Sequence, residues 1–138
     1  MLTYQALKHN KITVFGGSQK RPNIHIDDII DIYLFFLKRK IRSTEIYNVG
    51  FENLSIIQIA RIISKKTGAK INIVKNTFDK RSYNLDSSKL LSLGFKQKKK
   101  ISNAIEELTN LYKKKVFKDK PNFHSIKWLK KNKHLFIK

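Results

Sequence analysis

The stretch Gln19–Ile32, QKRPNIHIDDIIDI, constrains the fold more than any other part of the chain. Arg21 places a fixed positive charge just before a proline. Pro22 has no N–H and pushes its neighbour toward an extended shape. Asn23 to Ile26 alternates polar and apolar, as a short half-buried strand does. Asp27 or Asp28 can then cap a helix whose apolar residues recur at Ile29, Ile30, Ile32, Tyr33, Phe36 and Leu37. A charged corner, a strand and a capped helix in immediate succession form one unit of an α/β chain. Arg21 then stands at the mouth of that unit, where ligands of such folds usually enter.

The rest of the chain extends the same pattern. Residues 1–10 read as a helix end with Leu2, Ala6 and Leu7 on one side, followed by a strand at Lys11–Phe15 and a turn at Gly16-Gly17-Ser18. The central helix is expected to reach about Lys40, and Ile41–Thr44 links it to Glu45–Gly50 (EIYNVG), a short apolar strand of the kind buried in a parallel sheet. Asn53 or Ser55 can cap the next helix, which runs to about Thr67 and stops at Gly68. Ala69–Val74 alternates as a strand, and Lys75–Arg81 is a polar loop. An extended piece at Ser82–Asp86 leads to a short helix from Ser87 to Leu93, ended by Gly94. Ser102 opens a last helix to about Val116. Helices alternate with strands throughout, which defines an α/β chain.

Charge sets the limits on partners. Thirty basic residues face ten acidic ones, a net +20. Such a field favours polyanions or phosphate-bearing ligands. The basic residues are overwhelmingly lysine, so a lysine-loaded, solvated surface is the competing reading. The runs Lys98-Lys99-Lys100 and Lys113-Lys114-Lys115 are read as solvated surface. Cysteine is absent, which excludes disulfides and thiolate metal ligands and fits a reducing cytoplasm. No apolar run approaches the roughly 18 residues of a membrane span, and the N-terminus lacks a secretory pattern. Pro121 marks a break. Beyond it Phe123, Ile126, Trp128 and Leu129 are too apolar for a plain disordered tail, so residues 121–138 are expected to dock.

Three passages in order resemble the C-terminal half of the NAD-dependent epimerase/dehydratase family, extended short-chain dehydrogenases that act on nucleotide sugars. ALKHNKITVFGGSQKRPNIHIDDI is similar to its strand, glycine turn, arginine and I-H-V-D-D-type corner. EIYNVGFENLSIIQIARII resembles its Y-N-V-G-x-x-N strand and following helix. DKRSYNLDSSKLLSLGFKQKKKISNAIEEL resembles its D-x-R-x-Y-x-x-D-x-S-K-x-x-x-L-G-F passage and final helix. The tail NFHSIKWLKK is similar to endings found in surface-sugar gene clusters. The resemblance implies the C-terminal portion of an extended Rossmann-type short-chain dehydrogenase, with residues 1–120 as a partial substrate lobe.

The family's glycine-rich G-x-x-G-x-x-G loop, which seats the dinucleotide pyrophosphate on a helix N-terminus, has no counterpart in this sequence. The resemblance therefore implies NAD for the complete family enzyme and no cofactor for this chain alone. Tyr4 and Lys8 fit Tyr-x-x-x-Lys by spacing, but they stand where the family has a helix beyond its catalytic one, so they read as surface helix residues. No catalytic residue is assigned. His25 reads as structural, and His9, His124 and His134 are scattered without metal spacing.

What the resemblance leaves is a substrate site. It carries Arg21 onto an arginine that contacts the diphosphate of the nucleotide sugar, Arg81 onto a second, and Asn53 onto an asparagine that touches substrate in some dehydratases. Two guanidiniums can chelate a diphosphate in a way that lysines cannot. Each residue also has a plain structural reading. Arg21 can pair with Asp27 or Asp28, Arg81 with Asp79 or Asp86, and Asn53 can be a helix cap. Tyr83 reads as loop packing. The expected function is a truncated or split nucleotide-sugar epimerase/dehydratase lobe that holds the nucleoside diphosphate. The alternatives are a non-catalytic lobe that docks on a separate chain carrying the cofactor site, and, ranked last because arginine is scarce, a basic nucleic-acid-binding protein.

Overall fold

The computed structural model describes residues 1–39, 44–74, 81–116 and 124–135. The expectations for residues 41–43, the 75–80 loop, Pro121 and Phe123 lie outside them. In chain order the elements are α1 Leu2–His9, β1 Lys11–Phe15, β2 Lys20–Asn23, α2 Ile26–Arg39, β3 Glu52–Ser55, α3 Ile56–Thr67, β4 Lys70–Val74, α4 Ser88–Ser92, α5 Ile101–Lys113 and α6 Ser125–Lys131.

Two small sheets frame the molecule. β1 and β4 pair in parallel, in register from Lys11 opposite Lys70 to Phe15 opposite Val74. β2 and β3 pair antiparallel, Lys20 opposite Ser55 and Asn23 opposite Glu52. The main core lies on β1. Ile12 and Val14 point inward from alternate positions and meet Ala6 of α1, Ile59, Ala60 and Ile63 of α3, Ala69 and Ile105 of α5. A second core gathers Ile32, Leu90 and Phe95 under Phe35, Phe36, Tyr47, Val49 and Phe51.

α3 follows its sequence signals closely. Ser55 is its cap: the Ser55 hydroxyl accepts the Gln58 N–H at 3.3 Å, and Gln58 Oε1 accepts the Ser55 N–H at 2.8 Å. Gly68 ends it in the left-handed conformation at φ 76°. The glycine turn before β2 seats the sheet against this helix. Gly17 sits at φ 110°, and its carbonyl accepts the Ile57 N–H at 2.9 Å.

Four expectations change. The EIYNVG segment is not a sheet strand; the strand falls instead at Glu52–Ser55, read beforehand as the helix approach. The polar ENLS sequence becomes a strand because β2 lies beside it and supplies the ladder partners, whereas residues 44–50 have no strand beside them among the described residues. The strand expected at Asn23–Ile26 lies instead at Lys20–Asn23, sharing only Asn23, so the corner arginine is in the strand. The aspartates do not cap α2. The helix begins at Ile26, and the His25 imidazole stands in for a capping hydroxyl: its Nδ1 accepts the Asp27 N–H at 3.2 Å. The last long helix likewise starts at Ile101, one residue before the expected Ser102.

Candidate functional site

The strand β2 holds Arg21 opposite Leu54 of β3. Residues 81–86 run along the outer side of β2 and are tied to it by its backbone. Lys20 donates its N–H to the Ser82 hydroxyl at 3.0 Å, and its carbonyl accepts the Tyr83 N–H at 3.1 Å. Arg21 bridges this pairing. Its Nη1 donates to the Lys20 carbonyl at 2.8 Å and to the Arg81 carbonyl, and its guanidinium lies 5.3 Å from the centre of the Tyr83 ring. The two arginines named from the sequence are thereby brought together through the Arg81 backbone, Arg21 half-buried and Arg81 exposed, with a tyrosine face beside the Arg21 guanidinium. Tyr83 is the residue the sequence undervalued: it is half-exposed and serves as the platform for Arg21.

Asn53 is not a helix cap. Its side chain pairs with Leu85 in both directions, Nδ2 donating to the Leu85 carbonyl and Oδ1 accepting the Leu85 N–H, each at 3.0 Å. It holds the 81–86 segment against β3, as one more backbone would. Deeper in the corner, the Ser87 hydroxyl accepts the Gly50 N–H at 3.0 Å and donates to the Gly50 carbonyl at 3.2 Å. A side chain at Gly50 would lie 2.8 Å from Pro22 Cβ. Pro22, Gly50, Asn53 and Leu85 therefore fix how the arginine-bearing edge is presented. The Asp86 carboxylate accepts the Ser88 N–H at 2.9 Å, which holds its pKa below the ordinary value.

The acidic pair at the start of α2 does different work. The side chain of Asp28 is fully buried, and its two oxygens accept the backbone N–H groups of Lys98 and Lys99 at 3.0 and 3.1 Å. The lysine run read as solvated surface is thus strapped to α2 by its backbone. Lys98 Nζ also reaches Asp31 at 2.7 Å, and Lys99 Nζ reaches Glu107 at 2.6 Å and Asp27 at 3.3 Å. His25 is buried and places Nε2 3.1 Å from Glu107. Because Nδ1 already accepts the Asp27 N–H, the neutral ring carries its proton on Nε2 and donates it to Glu107. Atoms of His25, Asp27 and Glu107 lie within 4.8 Å of one another, a set of metal-ligand types, but the Lys99 ammonium supplies the positive charge there. It lowers the Glu107 pKa through their hydrogen bond, and Glu107, ahead of Asp27, raises that of Lys99. The cluster ties α2 to α5.

Tyr4 and Lys8 share a face of α1, with Lys8 Nζ 5.4 Å from the centre of the Tyr4 ring, which meets Tyr112 of α5 edge-on at 6.0 Å. The pair packs one helix on another.

Residues 1–50 match the model of the NAD dependent epimerase/dehydratase family. The fold is similar to that of a GDP-6-OMe-4-keto-L-xylo-heptose reductase from C. jejuni, at 23% identity and a TM-score of 0.65, covering 76% of this chain and 34% of that one. It is also similar to UDP-glucuronic acid 4-epimerase from Bacillus cereus, solved in complex with UDP-glucuronic acid and NAD, at 26% identity and a TM-score of 0.57, covering 76% and 36%. A third likeness is to TunA, an NAD-dependent NDP-hexosamine 5,6-dehydratase involved in tunicamycin biosynthesis, at 21% identity and a TM-score of 0.58. No curated protein matches the sequence. The chain spans about a third of the length of the solved structures it matches. No helix among the described residues is long and apolar enough to cross a membrane.

Proposed function

We propose that this chain is the C-terminal, substrate-holding portion of a nucleotide-sugar-modifying enzyme of the epimerase/dehydratase type, and that its β2 edge binds the diphosphate of the sugar nucleotide. The observation that carries this reading is that the half-buried Arg21 and the exposed Arg81 stand side by side on the β2 edge, steadied by Tyr83 and by the Asn53–Leu85 clamp. Guanidiniums offer paired N–H groups that match phosphate oxygens, and fixing the diphosphate orients the sugar it carries. Asn53 acts on the ligand indirectly, by holding the segment that bears Arg81 and Tyr83. The match over residues 1–50 and the likeness to an epimerase that binds UDP-glucuronic acid and NAD support the family assignment. NAD belongs to the complete enzyme, where it takes and returns hydride; the residues of this chain bind and position.

Calorimetric titration of the pure chain with UDP-glucuronic acid, and separately with NAD, tests this. Saturable binding of the sugar nucleotide is expected, weakened by about tenfold or more in Arg21→Ala and only partly restored in Arg21→Lys, since an ammonium cannot pair with two oxygens at once. Equal binding by parent and Arg21→Ala would refute the site. Tight NAD binding by the chain alone would refute the assignment as the substrate portion, and a stronger, salt-sensitive affinity for RNA would favour a polyanion-binding protein.

A further inference from the structure

α6 and the turn after it are held together locally. Trp128 donates its N–H to the His124 carbonyl at 2.8 Å, Asn132 donates its N–H to the Trp128 carbonyl at 3.0 Å, and Leu135 donates to the Asn132 carbonyl at 3.0 Å. Among the described residues, neither hydrophobic core includes a member of this segment. Its aliphatic side chains stay outside: Ile126 is 69% exposed, Leu129 47% and Leu135 60%. Ile126 and Leu129, on which the expectation of a docked tail rested, thus still face solvent.

The residues of α6 are also sorted by chemistry. At about 100° a residue, Trp128, Leu129 and Ile126 fall within one half of the helix circumference, and Lys130 and Lys131 fall in the other. Lys130 and Lys131 are exposed, as is Lys133 in the turn beyond. From Lys120 to Lys138 the sequence has six lysines and no acidic residue, so nothing within this stretch offsets their charge.

We propose that α6 lies in the surface of an anionic lipid bilayer, with Ile126 and Leu129 at the acyl boundary and Lys130, Lys131 and Lys133 among the lipid phosphates. A basic amphipathic helix with aliphatic residues opposite its lysines is the form that such surfaces bind, and tryptophan settles at headgroup level. A nucleic acid would engage the lysines alone, because a phosphate backbone offers nothing to an isoleucine and a leucine. An anionic bilayer engages both faces. A helix of seven residues buries little by itself, so the affinity draws on the net +20 of the chain, which adds a long-range attraction to an anionic surface. The helix lies on the bilayer and does not cross it. This contact is independent of the diphosphate site.

Trp128 is the only tryptophan in the chain, so its emission reports on α6 directly. The test is titration of the pure chain, at about 100 mM salt, with vesicles of phosphatidylglycerol and phosphatidylcholine in equal parts and with vesicles of phosphatidylcholine alone. Expected are saturable binding to the anionic vesicles, a blue shift of Trp128 emission, and protection of that emission from acrylamide. Leu129→Ser should weaken binding by about tenfold, and Lys130→Gln and Lys131→Gln by about fivefold each. All three side chains are exposed, so circular dichroism should match the parent. Failure to bind the anionic vesicles, equal affinity for both kinds of vesicle, or Leu129→Ser binding as tightly as the parent would each overturn the proposal. The same emission shift with inorganic phosphate, or with an RNA oligonucleotide at the same salt, would overturn it as well, by showing that phosphate without a bilayer is enough.

Discussion

Asp28→Asn offers the sharpest test of what holds the corner together. Asp28 is completely buried, and each of its oxygens accepts one backbone N–H, from Lys98 and from Lys99. Asparagine has nearly the same volume, so packing alone predicts little change. Hydrogen bonding predicts otherwise. The amide keeps one acceptor oxygen but turns a donor toward the second N–H, leaving that group unsatisfied. Hydrogen bonds to a charged group contribute about 1.5–3 kcal/mol each, and an unsatisfied buried donor carries a further penalty. The expected loss is about 3–5 kcal/mol for Asn, close to that of Ala. Domains of this size have about 5–15 kcal/mol in total. Urea unfolding followed by circular dichroism at pH 7 measures the loss, and amide exchange at Lys98 and Lys99 localises it. An Asn variant within about 0.5 kcal/mol of the parent, with Ala far worse, would refute the reasoning and make Asp28 a matter of shape.

Other outcomes follow from the same geometry. Gly50→Ala should lose about 1–3 kcal/mol in urea unfolding, because the new methyl would sit 2.8 Å from Pro22 Cβ. Ser55→Ala removes the α3 cap and should cost about 1 kcal/mol, read from thermal unfolding. Glu107 is held below its ordinary value of 4.5 first by its hydrogen bond to Lys99. Its contribution is therefore fully present above pH 4.5 and fades as the pH falls through the lower folded value. The stability difference between the parent and Lys99→Met should shrink over that acid range, and salt should shrink it at pH 7; a difference independent of pH would show that the pair contributes nothing.

What the sequence made legible was whatever depended on neighbours in the chain. The α3 cap at Ser55, its Gly68 stop and the position of β4 are local, and each appears at or within a residue of its expected place, although the burial of β4 does not alternate, Ile73 being half-exposed. What it hid depended on residues far away. Asp28 looks like a cap because aspartate at a helix start usually is one, but its partners lie seventy positions on. The Lys98-Lys99-Lys100 run looks solvated because lysine side chains usually are, whereas its fixed parts are two backbone N–H groups. Asn53 and Tyr83 have no local signal for their roles; only the long-range crossing of residues 81–86 against β2 and β3 brings them to the arginines.

The EIYNVG segment reverses that relation. Its apolar, β-branched character is that of a buried strand, and its exposure alternates as a strand's does. Among the described residues it has no ladder partner, its Ile46 carbonyl accepting instead from Lys89 Nζ at 3.4 Å, and a ladder needs a second strand. Where local pattern and tertiary pairing disagree, one of them is incomplete. What goes unmet at residues 45–50 is therefore the pairing and not the local propensity, which is why the pattern alone placed a strand there.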